Sequence, residues 1–121
     1  MHTRGVSGLQ EKKVAKAIGG RKQSNSGATA FYKGDVVTED FCIECKTMMT
    51  EKKSVTLQSE WIEKIKEEGF AMGKPEWAVV FNFGGLDSSE NFYVISESLF
   101  KKLVQFMHEE KTYDANRKNS I

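Results

Sequence analysis

The sequence predicts an α/β protein, a mixed β-sheet flanked by helices in the order α-β-β-β-α-β-β-α. Three observations predict it. Apolar residues recur at helical spacing in three segments, the segments between them read as short strands, and glycine or polar clusters separate the two kinds. A chain of 121 residues falls within the usual size of one domain, so residues 1–121 are expected to form a single unit.

The first helix is expected from about Gly8 to Ile18. Ser7 followed by Gln10 has the capping-box spacing, and Gly19-Gly20 marks the stop. At about 100° per residue, Val14, Ala15 and Ile18 make one apolar face and Lys12, Lys13 and Lys16 lie away from it. Glu11 falls in the middle of that face, where a carboxylate is costly without a partner. Arg21 to Gly27 reads as a polar loop and Ala28 to Lys33 as a short strand. Gly34-Asp35-Val36-Val37, a Thr38-Glu39-Asp40 turn and Phe41 to Lys46 have a hairpin pattern. Leu57, Trp61, Ile62 and Ile65 predict a second helix that Gly69 ends. Trp77 to Phe83 is an apolar strand, Gly84-Gly85 and Asp87-Ser88-Ser89 a turn, and Asn91 to Ile95 a further strand. Ser96 is placed to cap a last helix carrying Leu99, Leu103, Val104, Phe106 and Met107. That helix is expected to fray from Thr112, leaving residues 1–6 and 112–121 as loose ends and His108 in its last turn.

The composition is that of a folded chain, with 39% apolar and 29% charged residues and no run approaching the ~18–20 apolar residues of a membrane span. The start has no apolar signal core, and two cysteines cannot staple a secreted scaffold. A cytoplasmic protein is expected, in the host cytoplasm if the source is a virus. Net charge is only +1, but it is unevenly spread. Residues 1–33 carry seven basic residues against Glu11, and residues 34–70 carry nine acids against five lysines. A basic arm beside an acid-rich segment suits a protein that holds phosphates near a metal, although a lysine-rich helix face is also often no more than solvated surface.

The residues that carry chemistry lie in the middle hairpin. Alternation along Phe41–Lys46 places Phe41, Ile43 and Cys45 on one face, expected to be the core side, and Cys42, Glu44 and Lys46 on the other. Glu44 and Lys46 are then about 6.5–7 Å apart, and the hairpin can bring Asp35 beside Glu44. Adjacent carboxylates repel unless a divalent cation neutralises both. Magnesium suits such a pair because it prefers hard oxygen ligands and keeps several waters. Water on the metal becomes a nucleophile near neutral pH, and a nearby lysine can orient it or offset phosphoryl charge. Glu-x-Lys occurs four times, starting at Glu11, Glu44, Glu51 and Glu109. Only the triplet at Glu44 lies in a strand pattern, with a Gly-Asp turn nine residues before its acid.

Asp35 followed by Glu44-Cys45-Lys46 resembles the PD-(D/E)xK nuclease signature. The order of parts over residues 7–83 resembles archaeal-type and phage Holliday junction resolvases: a helix with a glutamate (Ser7 to Val14), a basic Ser-Gly loop (Arg21 to Ala28), the aspartate, the Glu-x-Lys strand, a helix and an apolar strand. Gly34 stands where the motif has proline, and beyond Gly84 the likeness ends. The resemblance implies a restriction-endonuclease-like sheet and a magnesium-dependent endonuclease, with manganese able to substitute. It implies that Asp35, Glu44 and the Cys45 carbonyl hold the metal. It also implies that Glu11 completes the acidic cluster around the metal, as a ligand or through water, and that Lys46 positions the attacking water and stabilises the developing negative charge. Arg21, Lys22 and Ser26, with Lys12 and Lys16 of the basic helix, are expected to meet DNA phosphates. Gln58 is a further candidate, or simply a helix cap.

The expected activity is hydrolysis of four-way or otherwise branched DNA. A near two-fold junction needs paired cuts and each chain has one site, so a homodimer is expected. The alternatives are a nicking or end-processing nuclease with the same chemistry, and a silent nucleic-acid-binding module. Cys42 and Cys45 match C-x-x-C, but residues three apart on a strand point to opposite faces, so they are expected to pack as thiols. Trp77, Phe81, Phe83, Phe92 and Tyr93 are expected to pack in the core in preference to stacking on bases.

Overall fold

A computed structural model describes residues 3–23, 34–85 and 90–119. The elements are α1 (Thr3–Ile18), β1 (Arg21–Lys22), β2 (Val36–Val37), β3 (Phe41–Lys46), α2 (Ser59–Ala71), β4 (Glu76–Phe81), β5 (Phe92–Val94) and α3 (Glu97–Asn119). Among the described residues the fold is therefore α/β, a five-stranded mixed sheet with three helices, and the order α-β-β-β-α-β-β-α holds with Arg21–Lys22 standing as its first strand. Strands lie in sequence order across the sheet, β1-β2-β3-β4-β5. Only β3 and β4 run parallel; the other neighbours are antiparallel. No helix among the described residues is long and apolar enough to cross a membrane.

The parallel β3–β4 pair requires a crossover, and α2 supplies it. This overturns one expectation, because both faces of β3 are covered. On one face Val36, Ile43, Ala78 and Val80 pack with Val14 of α1. On the other, Cys42 and Val79 pack with Ile65 of α2, flanked by Trp61 and Ile62. Glu44 thus sits in a covered layer, 9% exposed, where an open sheet face was expected.

Several boundaries also differ. α1 begins at Thr3, so Ser7 lies inside the helix and cannot cap it. Arg21 and Lys22, expected in a loop, form the edge strand β1 paired with Val37 and Val36. The strand expected at Ala28–Lys33 and the turn residues Asp87–Ser89 lie outside the described residues. α2 runs two residues past Gly69, which is buried, and stops where Gly73 takes a left-handed φ of 70°. Leu57 precedes the helix and is exposed. Ser96 does cap α3, its Oγ accepting the Leu99 amide at 3.0 Å. The helix continues through Thr112 to Asn119, which puts His108 mid-helix. Thr112 Oγ1 donates to the His108 carbonyl, and Arg117 and Lys118 complement the dipole of the last turn.

Candidate active site

The β2–β3 register pairs Val37 with Cys42 and Val36 with Ile43. One step further, Asp35 comes opposite Glu44, and the Asp35 amide donates to the Ile43 carbonyl at 2.8 Å. The Asp35 carboxylate turns back onto the same strand, Oδ2 accepting the Cys45 amide at 2.8 Å. Gly34 makes this entry possible. Its φ is 79°, which the proline ring cannot adopt, and a Cβ there would lie 2.6 Å from Cys42 Sγ. A proline at this position would not fit this backbone.

Burial and like charge then act together. Asp35 is pushed up to about 6, first by burial and then by Glu44, with a smaller push from Glu11; the Cys45 amide and Lys64 oppose it. Glu11 comes from α1 and is 7% exposed. Burial raises it, Lys22 pulls it down, and Glu44 raises it again. Three carboxylates, from α1, from the residue before β2 and from β3, therefore share one electrostatic neighbourhood. Two lysines sit on its rim. Lys46 Nζ is 3.3 Å from Glu44 Oε2, and Lys22 Nζ is 3.5 Å from Glu11 Oε1.

These acids and Lys46 are brought together as the sequence suggested. The basic set is not. Lys22 spends its charge on Glu11, although it remains partly exposed. Arg21 lies at the turn end of the hairpin, away from Asp35, lining a 370 Å³ depression with Glu39 and Lys74. Lys12 and Lys16 are exposed on α1, and Ser26 lies outside the described residues. Gln58 occupies the N-cap position of α2, but its side chain makes no capping bond. Cys42 and Cys45 point to opposite faces, and burial raises both thiols, Cys42 to about 11. Phe81, Phe83 and Phe92 cluster on one another with centroids 5.6–5.8 Å apart. Phe83, Phe92 and Tyr93 stay more than a third exposed, so this set is not wholly core.

Two contributors escaped the sequence reading. Gln10, there a capping partner, is 5% exposed. Its Nε2 donates to the Lys46 carbonyl at 3.1 Å and its Oε1 accepts Thr47 Oγ1 at 2.6 Å. It ties α1 to the end of β3, and its position beside an inward-facing Glu11 was the available signal. Trp61 of α2 lies under Lys46, whose Nζ is 4.6 Å from the ring centroid. The indole holds the ammonium at the mouth of the acidic cluster.

A metal fits part of this arrangement. Among the described residues no group of three or more His, Cys, Asp and Glu side chains is placed to hold an ion, so the full cluster is not a preformed cage. The opposed pair Asp35 and Glu44 still suits magnesium, which is commonly held by one or two carboxylates with waters and substrate phosphate completing its shell. No family model, no curated protein and no solved structure matches the chain.

Proposed function

We propose that the protein is a magnesium-dependent DNA endonuclease of the PD-(D/E)xK type, acting on four-way or other branched DNA, with a restriction-endonuclease-like core. One observation carries this reading: Asp35 opposite Glu44, with Lys46 Nζ 3.3 Å from the Glu44 carboxylate. The element order and the mixed sheet support it at the level of fold.

Asp35 and Glu44 would hold the cation, with the Cys45 carbonyl as a third oxygen. Bound there, Mg²⁺ supplies an acidified water and positive charge against the phosphate. Hydrolysis would join the water oxygen to phosphorus as the water gives up a proton to solvent, and would break the bond to the sugar oxygen, which leaves as a hydroxyl after taking a proton from solvent. Lys46, steadied by Trp61, orients the water and offsets the charge that develops on the phosphoryl oxygens. Glu11 would complete the acidic cluster, as a ligand or through water, with its carboxylate restrained by Lys22 at 3.5 Å. Lys12 and Lys16 face solvent, free to meet phosphates along the DNA. Paired cuts across a two-fold junction call for two copies of the chain.

The test is a cleavage assay with magnesium on a four-way junction, a three-way branch, a linear duplex and a single strand. Symmetric paired cuts in the junction alone are expected. Cutting of linear DNA would keep the chemistry and discard the branch selectivity. No cutting with magnesium or manganese would favour a silent nucleic-acid-binding module.

A further inference from the structure

Phe81, Phe83 and Phe92 stand at the carboxyl end of the two parallel strands, beside the acidic cluster. The register decides this. β3 and β4 pair Glu44 with Val79 and Lys46 with Phe81, and β4 and β5 pair Phe81 with Phe92. Side chains paired in register share a face, so Lys46, Phe81 and Phe92 form one row across strands about 4.8 Å apart. This is the face that Ile65 of α2 covers lower down, over Cys42 and Val79. At the level of the row, Trp61 lies against Lys46, while Phe83 and Phe92 stay 38% and 39% exposed. The rings are nonetheless held in place. Phe83 meets Phe81 and Phe92 edge-on, at 80° and 69°, and Phe81 and Phe92 lie tilted by 32°. Buried Asn82 donates from Nδ2 to Asn91 Oδ1 at 3.1 Å and accepts the Gly84 amide on Oδ1 at 2.9 Å, which locks the β4–β5 end. Gly84, at a φ of 89°, leaves no room for a Cβ against the Thr50 carbonyl. The Lys52 amide donates to the Phe83 carbonyl at 2.6 Å, so residues 50–53 run alongside the rings, with Lys52 and Lys53 exposed.

We propose, resting on the nuclease reading of the acidic cluster, that these three rings form a shelf on which an unpaired DNA base stacks beside the scissile phosphate. The shelf then sets what the site selects, a strand whose bases are unstacked next to the cut. Three features favour a nucleobase over an aliphatic partner. Phenyl rings offer a π-face on which any base can stack, without regard to sequence. Lysines adjoin the shelf, Lys46 in its row and Lys52 and Lys53 beside Phe83, which suits a phosphate backbone running past stacked bases. An apolar peptide or lipid chain would gain nothing from them. The row also joins shelf to site, so a nucleotide stacked at Phe81 and Phe92 brings its phosphate toward the Lys46 ammonium. Bases inside a continuous duplex already stack on one another and present no free face. Branch points, flaps and single strands do.

Fluorescence anisotropy of the full chain in EDTA reads the shelf without cleavage. The probes are a short labelled oligothymidine, an abasic strand of equal length with the same phosphates and no bases, and a duplex of that length. Wild type should bind the oligothymidine roughly 10–100-fold more tightly than the abasic strand. Phe83→Leu with Phe92→Leu keeps apolar side chains at both positions and should lose that preference. Its circular dichroism spectrum and its affinity for the duplex should not change. Phe92→Tyr keeps the ring and should keep the preference. Equal binding of the oligothymidine and the abasic strand by the wild type would overturn the proposal. So would a preference that survives Phe83→Leu with Phe92→Leu. The nuclease reading fails separately: a preference for bases in a chain that cuts no DNA would leave the shelf and remove the catalysis, and cutting without the preference would remove the shelf alone.

Discussion

Asp35 and Glu44 face each other across the open end of the β2–β3 ladder, a half-buried acid opposite a buried one, with the Cys45 amide donating to Asp35 at 2.8 Å. Packing alone does not favour such a pair. Each carboxylate disfavours ionisation of the other, and burial adds to the cost. A chain that keeps this arrangement concentrates negative charge at one point, with Lys46 and Lys22 at its edge.

The pH dependence of stability follows from that cost. Asp35 titrates at about 6 in the folded chain against about 3.9 when unfolded. The folded state holds the proton more tightly, so Asp35 favours folding at low pH, and this is lost as pH rises from about 4 to about 6. The loss is at most about 3 kcal/mol, taking 1.36 kcal/mol per unit. Urea unfolding at pH 7 should therefore show Asp35→Asn more stable than wild type, since the amide oxygen still accepts the Cys45 N–H. Magnesium should stabilise the wild type at pH 7 and leave Asp35→Asn nearly unmoved.

Lys46 and Trp61 should separate in kinetics. Lys46→Ala is expected to bind DNA and cut at least about 100-fold more slowly, as when one charge-stabilising group is removed from an active site. Trp61→Leu removes the ring under the ammonium and should slow cutting about 3–10-fold, the equivalent of roughly 0.5–1.5 kcal/mol of cation–π contact. Trp61→Phe should recover most of that rate. Single-turnover cleavage of a pre-bound junction measures each effect apart from affinity.

Gly34 gives a prediction independent of activity. Gly34→Ala forces a Cβ into Cys42 Sγ at a left-handed φ and should cost about 1–3 kcal/mol. Gly34→Pro cannot take this φ and should unfold the β2–β3 entry. Thermal melts of both variants check the order, wild type above Gly34→Ala above Gly34→Pro.

Gln10→Leu should destabilise the chain by about 1–2 kcal/mol, because the Thr47 hydroxyl and the Lys46 carbonyl lose a buried partner. Hydrogen exchange should rise at the end of β3 more than in α2.

Sequence periodicity carried the hairpin far enough to set Asp35 beside Glu44, and the inward position of Glu11 was legible from three apolar neighbours on one helix face. What it could not carry was tertiary. β1 is two charged residues with no apolar period, and it exists only because β2 offers it an edge. Alternation along β3 read as one buried and one open face, since nothing local announces that α2 crosses over and covers Glu44. Gln10 looked like a cap because its spacing from Ser7 fitted one; its bonds to Lys46 and Thr47 span more than thirty residues of chain. α3 runs past its expected end because Thr112, Arg117 and Lys118 sustain it where no glycine or proline stops it.

If the two carboxylates act as one site, wild type, Asp35→Asn and Glu44→Gln should part company on an end-labelled four-way junction with magnesium. Cutting by the wild type alone is expected, with both variants binding the junction at least as tightly. Cutting by either variant at the wild-type rate would contradict a shared site.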